Sequence, residues 1–185
     1  MIDLLFNHHR IQKEWGIFAK SFNLCQLKRS MPVVVGNFNG VDMQVDVRKY
    51  KGRNASKHFT RVTVPHTNGM QQRIRIVAKK AFPKLSLVHR INENLGYSYN
   101  DHDFTRHHII YSETKLKNNL PRELHEGFET LIRHELRINK KEIVYNEPGM
   151  IDNHNRLIDV CYFMTELAKE VSENNFNQLQ EVMLR

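Results

Sequence analysis

The sequence is poor in the residues that several kinds of protein are built from. Two cysteines in 185 residues, Cys25 and Cys161, exclude a disulfide-stapled mini-protein and a paired-cysteine zinc knuckle. Eight glycines and five prolines exclude a collagen-like repeat and leave no glycine-rich phosphate cradle. Neither a Walker-type loop, nor Gly-x-Gly-x-x-Gly, nor Gly-x-Ser-x-Gly occurs. No apolar run approaches the roughly 18 residues of a membrane span. Residues 1–10 carry an early acid, Asp3, and a very short apolar run, so they do not read as a signal peptide. Cys161 stands in the apolar run 157–164, and both thiols are expected to be buried and reduced, as in a cytoplasmic protein.

The sharpest scarcity is of acid. Residues 47–90 contain no Asp or Glu but 12 Lys and Arg. Residues 1–90 hold 17 basic side chains against four acids, and residues 91–185 hold 11 against 16. The formal charge of +8 thus averages a strongly basic half with an acidic one. Such asymmetry points to an anionic partner, or to the two halves neutralising each other.

What is present fits one globular domain, with 40% apolar and 26% charged residues and no linker or repeat. Ile11, Trp15, Phe18 and Phe22 recur at steps of four, three and four, which predicts an amphipathic helix over 8–22 with Trp15 as a core anchor. After Pro32 the period drops to two. Residues 33–36 lead into 37–40, whose Asn39-Gly40 is a tight-turn pair, and the partner strand is 41–48 with Val41, Met43, Val45 and Val47 on one face. Residues 49–57 read as a polar basic loop, followed by strands over 59–64 and 72–78. The three strands over 41–48, 59–64 and 72–78 in succession predict an antiparallel meander with one buried face.

Pro83 and Gly96 bracket a further predicted helix, and a strand follows over 104–112. Another helix is expected from Pro121 to about Glu135, then a hairpin of 136–139 and 142–145 around Lys140-Lys141. Leu157, Val160, Cys161, Met164, Leu167, Ala168 and Val171 predict a long helix over 154–173 that covers the sheet, with a tail at 173–185. The expected fold is α+β: an antiparallel sheet meander with helices on one face, including an N-terminal helix and a long C-terminal helix.

Strand parity puts Arg48, Arg61, Arg73 and Arg75 on the sheet face away from the helices. Lys49, Lys51, Arg53 and Lys57 adjoin them on the loop, and Lys79 and Lys80 end the third strand. Tyr50, His58 and Phe59 offer nearby stacking surfaces of the kind single-stranded nucleic acids use. Arginines so crowded repel one another unless an anion balances them. Asp46 stands among them, and Glu113 or Glu142 from the acidic half folding over this face is the competing explanation.

Histidine is abundant, with 11 residues. Asp101-His102-Asp103 with His107-His108 is the densest group, and imidazole with carboxylate suits zinc, iron or manganese. The spacing matches no metal motif, and adjacent strand residues point apart. His125-Glu126 and His134-Glu135 both lack a second histidine four residues after the first. Glu123, Glu126, Glu129, Glu166 and Glu170 read as solvated helix faces.

Trp15 and Ala19 on the first helix, Pro32, Gly36, Phe38 and Gly40 about the first strand, then Val45, Thr63, Ile74, Ile76, Asp103 and Phe104, form a sequential pattern. With the helices after Pro121 and Asn153, it resembles a diffuse family of small uncharacterised prokaryotic α+β proteins over residues 12–172. A Gly-Asp step of that pattern is replaced here by Asn100-Asp101-His102-Asp103. The resemblance implies a fold and no activity or cofactor. The sequence therefore reads as a non-enzymatic cytoplasmic domain that binds a polyanion, nucleic acid first. An adaptor that meets an acidic protein or a second copy of itself is the alternative, and a metal-dependent hydrolase the third.

Overall fold

A computed structural model describes residues 2–51, 56–67, 73–79, 107–112, 127 and 134–172. Helix α1 spans Ile2–Ser21. Strands follow as β1 (Cys25–Leu27), β2 (Val33–Phe38), β3 (Val41–Lys51), β4 (Ser56–Pro65), β5 (Ile74–Ala78), β6 (His108–Ser112), β7 (Glu135–Ile138) and β8 (Glu142–Pro148). Helix α2 spans His154–Ser172.

All eight strands form one antiparallel sheet in the order β1-β2-β3-β4-β8-β7-β5-β6. The meander runs unbroken from β1 through β4. Asn39 and Gly40 both have positive φ, 53° and 82°, so the β2–β3 turn has the backbone twist that suits a two-residue hairpin. The Asn39 amide also donates to Glu166 of α2 at 2.6 Å, tying the turn to the helix layer.

The strand at 74–78 corrects one expectation: β5 is not beside β4. The β7–β8 hairpin, more than 50 residues later in the chain, lies between them. Strand order is decided by which apolar faces meet, and two edges can be filled by any strand with the right alternation. Two further strand limits differ. Residues 49–51 and 56–57 belong to β3 and β4, where a loop is expected, because cross-strand pairing carries a hairpin through a polar stretch. The helix expected to reach Glu135 has ended before it, since Glu135 is the first residue of β7. Gly127 is helical and abuts the Phe163 ring so closely that a Cβ would stand 2.4 Å from it. The helix expected at 83–96, the strand residues 104–106, most of 120–133 and the tail at 173–185 lie outside the described residues.

Both helices pack on one sheet face. Ile11, Trp15 and Phe18 of α1 and Leu157, Val160, Met164, Leu167 and Val171 of α2 meet Val45, Val62, Val64, Ile76, Leu136, Ile138 and Ile143 in a single core. Asn153 caps α2, its side-chain oxygen accepting from the backbone N–H groups of Asn155 and Arg156 at 2.9 and 3.2 Å. Cys161 is buried in this core, and burial pushes its thiol well above the usual range. Cys25 is exposed, contrary to expectation, because β1 is the sheet's edge strand and no described element covers that position.

Candidate anion-binding face

The register sets out the opposite face in two rows. One runs Asp46, Arg61, Asn146, Glu135, Val77 and Ile109 across β3, β4, β8, β7, β5 and β6. The next runs Gln44, Thr63, Val144, Arg137, Arg75 and Tyr111 across the same strands. Parity thus places Arg61 and Arg75 on one face, as expected. Three strand spacings of about 4.8 Å, roughly 14 Å in all, separate their strands. They belong to two clusters.

Each cluster is built around one buried carboxylate. Asp46, only 6% exposed at its side chain, takes Nε and Nη2 of Arg61 at 3.0 and 2.6 Å in a forked pair. Gln44 donates to the same carboxylate at 2.6 Å, and Arg48 approaches it at 3.4 Å. Arg61 is 24% exposed and Arg48 51%. In the second cluster Glu135, 7% exposed, takes Nε of Arg75 at 2.5 Å and Nε of Arg137 at 2.7 Å. The Arg75 guanidinium also lies 5.6 Å from the centre of the Tyr111 ring. Among the described residues, the acids paired with these arginines are Asp46 and Glu135, the latter from the acidic half of the chain, while Glu113 lies outside the described residues. Among the described residues, each cluster sets two arginines about one carboxylate.

Glu135 and Arg137 are absent from the sequence-derived site. Their signal was present, since Glu135-Leu136-Arg137-Ile138 alternates at period two, but Glu135 read as the last residue of a helix. Of the other expected residues, Arg73 is exposed and precedes β5, while Lys79 follows it and donates its N–H to the His107 carbonyl at 3.0 Å. Arg53 and Lys80 lie outside the described residues.

Lys49, Lys51 and Lys57 belong to a feature the sequence does not announce. The β2 pairing with β3 stops at Val33–Asp46, and the last contact of the β8 segment with β4 is the Phe59–Gly149 bridge. Beyond that level, where the Gly149 N–H donates to the His58 carbonyl at 2.8 Å, β3 and β4 continue through the pairs Lys49–His58, Tyr50–Lys57 and Lys51–Ser56 with no other described strand beside them. From Arg48 to Lys51 this two-stranded ribbon extends about 10 Å. Its sequence contains no acid.

Of the expected histidine cluster, Asp101, His102 and Asp103 lie outside the described residues. His107 is exposed, and His108 is buried on the helix-side face. Among the described residues, no three His, Cys, Asp or Glu side chains form a group that could hold a metal ion.

The helix-side face carries a separate polar group. The Tyr145 hydroxyl donates to the Glu147 carboxylate, which also takes Nη2 of Arg156 at 3.1 Å. Burial and then the Glu147 charge push the Tyr145 phenol above its ordinary range. His134 stacks on the Tyr145 ring, with centroids 5.6 Å apart, and lies 5.4 Å from the His108 ring. Burial, then His108 and Arg156, hold the His134 pKa down to about 3. An unfolded histidine titrates near 6.5, so acid favours the unfolded chain. The native state keeps its full margin above pH 6.5 and loses about 1.4 kcal/mol per pH unit below it, until His134 itself titrates. Urea unfolding at pH 6.5 and pH 5 should show a loss of about 2 kcal/mol from this residue, missing in His134→Phe. Equal pH dependence in the two proteins would refute it.

No protein-family model matches the chain, and no significant match exists among curated proteins. Among solved structures, the crystal structure of the mycobacterial trehalose monomycolate transport factor A, TtfA, is similar. The likeness covers 93% of this chain and 95% of that one at 10% sequence identity, with a TM-score of 0.47.

Proposed function

We propose that this protein is a non-enzymatic, cytoplasmic nucleic-acid-binding domain whose contact surface is the β3–β4 ribbon. The observation that carries this reading is the ribbon itself, which outruns the other described strands beside it and bears basic residues without an acid. A two-stranded ribbon is narrow enough to enter the major groove of B-form DNA, and lysines there contact phosphates without reading sequence. Arg48, Lys49, Lys51, Arg53 and Lys57 supply the contacts. Arg61 and Arg75 are held by Asp46 and Glu135 on the sheet face beside the ribbon, with Arg73, Lys79 and Lys80 beyond them.

Fluorescence anisotropy with a labelled duplex tests this. With five phosphate contacts, affinity should fall about 500-fold between 50 and 200 mM salt, and Lys49→Ala/Lys57→Ala should reduce the logarithmic salt slope by about 2. Absence of binding at 50 mM salt would sink the proposal. A salt-sensitive oligomer, free of nucleic acid by absorbance and seen by light scattering, would instead favour the acidic-protein or self-association reading.

A further inference from the structure

A cleft of about 410 Å³ opens between α1 and the edge strand β1. It is built by a close approach: a Cβ on Gly16 would stand 3.0 Å from the Gln26 side-chain oxygen, so glycine lets β1 and its following turn lie against the helix. The Gln26 amide donates to the Gln12 carbonyl at 3.0 Å and fixes that contact. His9 and Lys13, one helical turn apart on α1, face Lys28 and Arg29 of the β1–β2 turn across the opening.

Among the described residues, no carboxylate lines this cleft. Two described acids near it are engaged elsewhere: Asp152 pairs with Arg10, and Glu14 lies 3.4 Å from His154. Lys13, Lys28 and Arg29 make no ion pair among the described residues. Three full cations and an imidazole therefore converge from two elements on a concavity of ligand size, an arrangement that self-repulsion disfavours unless an anion enters. Arginine with lysine suits a compact oxyanion, and side-chain amides beside them suit hydroxyl groups.

We infer that this cleft binds a phosphate monoester. The group has two possible sources, a free sugar phosphate or the 5′-phosphate at the end of a nucleic-acid strand. The inference does not rest on the ribbon reading, although the cleft and the ribbon lie at the same end of the sheet, because Leu27, Val33 and Asp46 are in register there.

Calorimetric titration of the full chain with ribose 5-phosphate, and with ribose as control, tests the first source. Anisotropy with one oligonucleotide in 5′-phosphorylated and 5′-hydroxyl forms tests the second. Supporting results are one-to-one binding of ribose 5-phosphate but not ribose, or at least tenfold preference for the phosphorylated end. Whichever is seen should be weakened tenfold or more by Lys28→Ala/Arg29→Ala, at exposed turn positions, and by Lys13→Gln on the helix. No ester binding and no end preference, or binding indifferent to these replacements, would overturn the inference. If oligonucleotide binding then still depended on Lys49 and Lys57, the ribbon reading would stand and the cleft reading alone would fall.

Discussion

Asp46→Ala is expected to lower the unfolding free energy by about 3 kcal/mol, measured by urea denaturation. The carboxylate is almost wholly buried and takes a forked pair from Arg61, an amide hydrogen from Gln44 and the flank of Arg48. Removing it leaves two guanidinium groups facing each other with nothing between them. Breaking a buried pair costs about 3–5 kcal/mol, and the water that Arg61 and Arg48 retain places this case at the lower end. The double variant Asp46→Ala/Arg61→Leu should recover at least about 1 kcal/mol relative to the sum of the two single losses, because the orphaned charge is gone as well. The same single change unbalances the face toward positive charge. Nucleic-acid affinity at 50 mM salt should rise while stability falls, a divergence that general unfolding cannot produce. A stability loss under 1 kcal/mol, with additive double-variant behaviour, would refute the clasp.

The second large effect is at Trp15. Its side chain is 1% exposed, and its indole N–H donates to the Ile151 carbonyl at 2.8 Å, joining α1 to the segment that leads into α2. Trp15→Ala removes the bulkiest side chain of the layer between helices and sheet, and it orphans a buried carbonyl. The expected loss is about 3–5 kcal/mol. Trp15→Phe keeps most of the volume and lacks only the donor, so it should cost about 1–3 kcal/mol. Both are measured by thermal and urea unfolding. A loss below 1 kcal/mol in Trp15→Ala would show that α1 is not part of the cooperative core.

Much of this architecture is legible in the chain, and the parts that are not have physical reasons. The stripe of Ile11, Trp15 and Phe18 and the three-four spacing from Leu157 to Val171 are helical signals that tertiary contacts reinforce. Asn39-Gly40 marks its hairpin because both residues tolerate positive φ. These are local constraints. The position of β7–β8 between β4 and β5 depends on contacts between residues some 80 positions apart, and no local pattern encodes it. Cys25–Leu27 is too short to display a period, and β1 exists because β2 offers it an edge.

The candidate site divides the same way. The face shared by Arg48, Arg61 and Arg75 follows from alternation within each strand. Whether those arginines form one patch or two depends on strand order, which alternation does not fix. The clasp around Asp46 follows from the β3–β4 hairpin, whereas the clasp around Glu135 is a consequence of that order, since β7 lies beside β5 and brings Glu135 to Arg75. The basic cleft was hidden for another reason: Lys13 and Lys28 are brought together by the reversal of the chain between α1 and β1.

The late insertion of β7–β8 also orders events during synthesis. Strand β4 is complete at Pro65, yet the residue that pairs with it there, Glu142, is 77 positions further on. At roughly 5–20 residues per second, the ribosome takes about 4–15 s to deliver that partner. Throughout that interval β4 presents an unpaired edge, the kind of template on which nascent chains associate wrongly. The basic side chains flanking that edge, Arg61 and the lysines of the ribbon, give neighbouring nascent chains a mutual charge repulsion before either chain has folded.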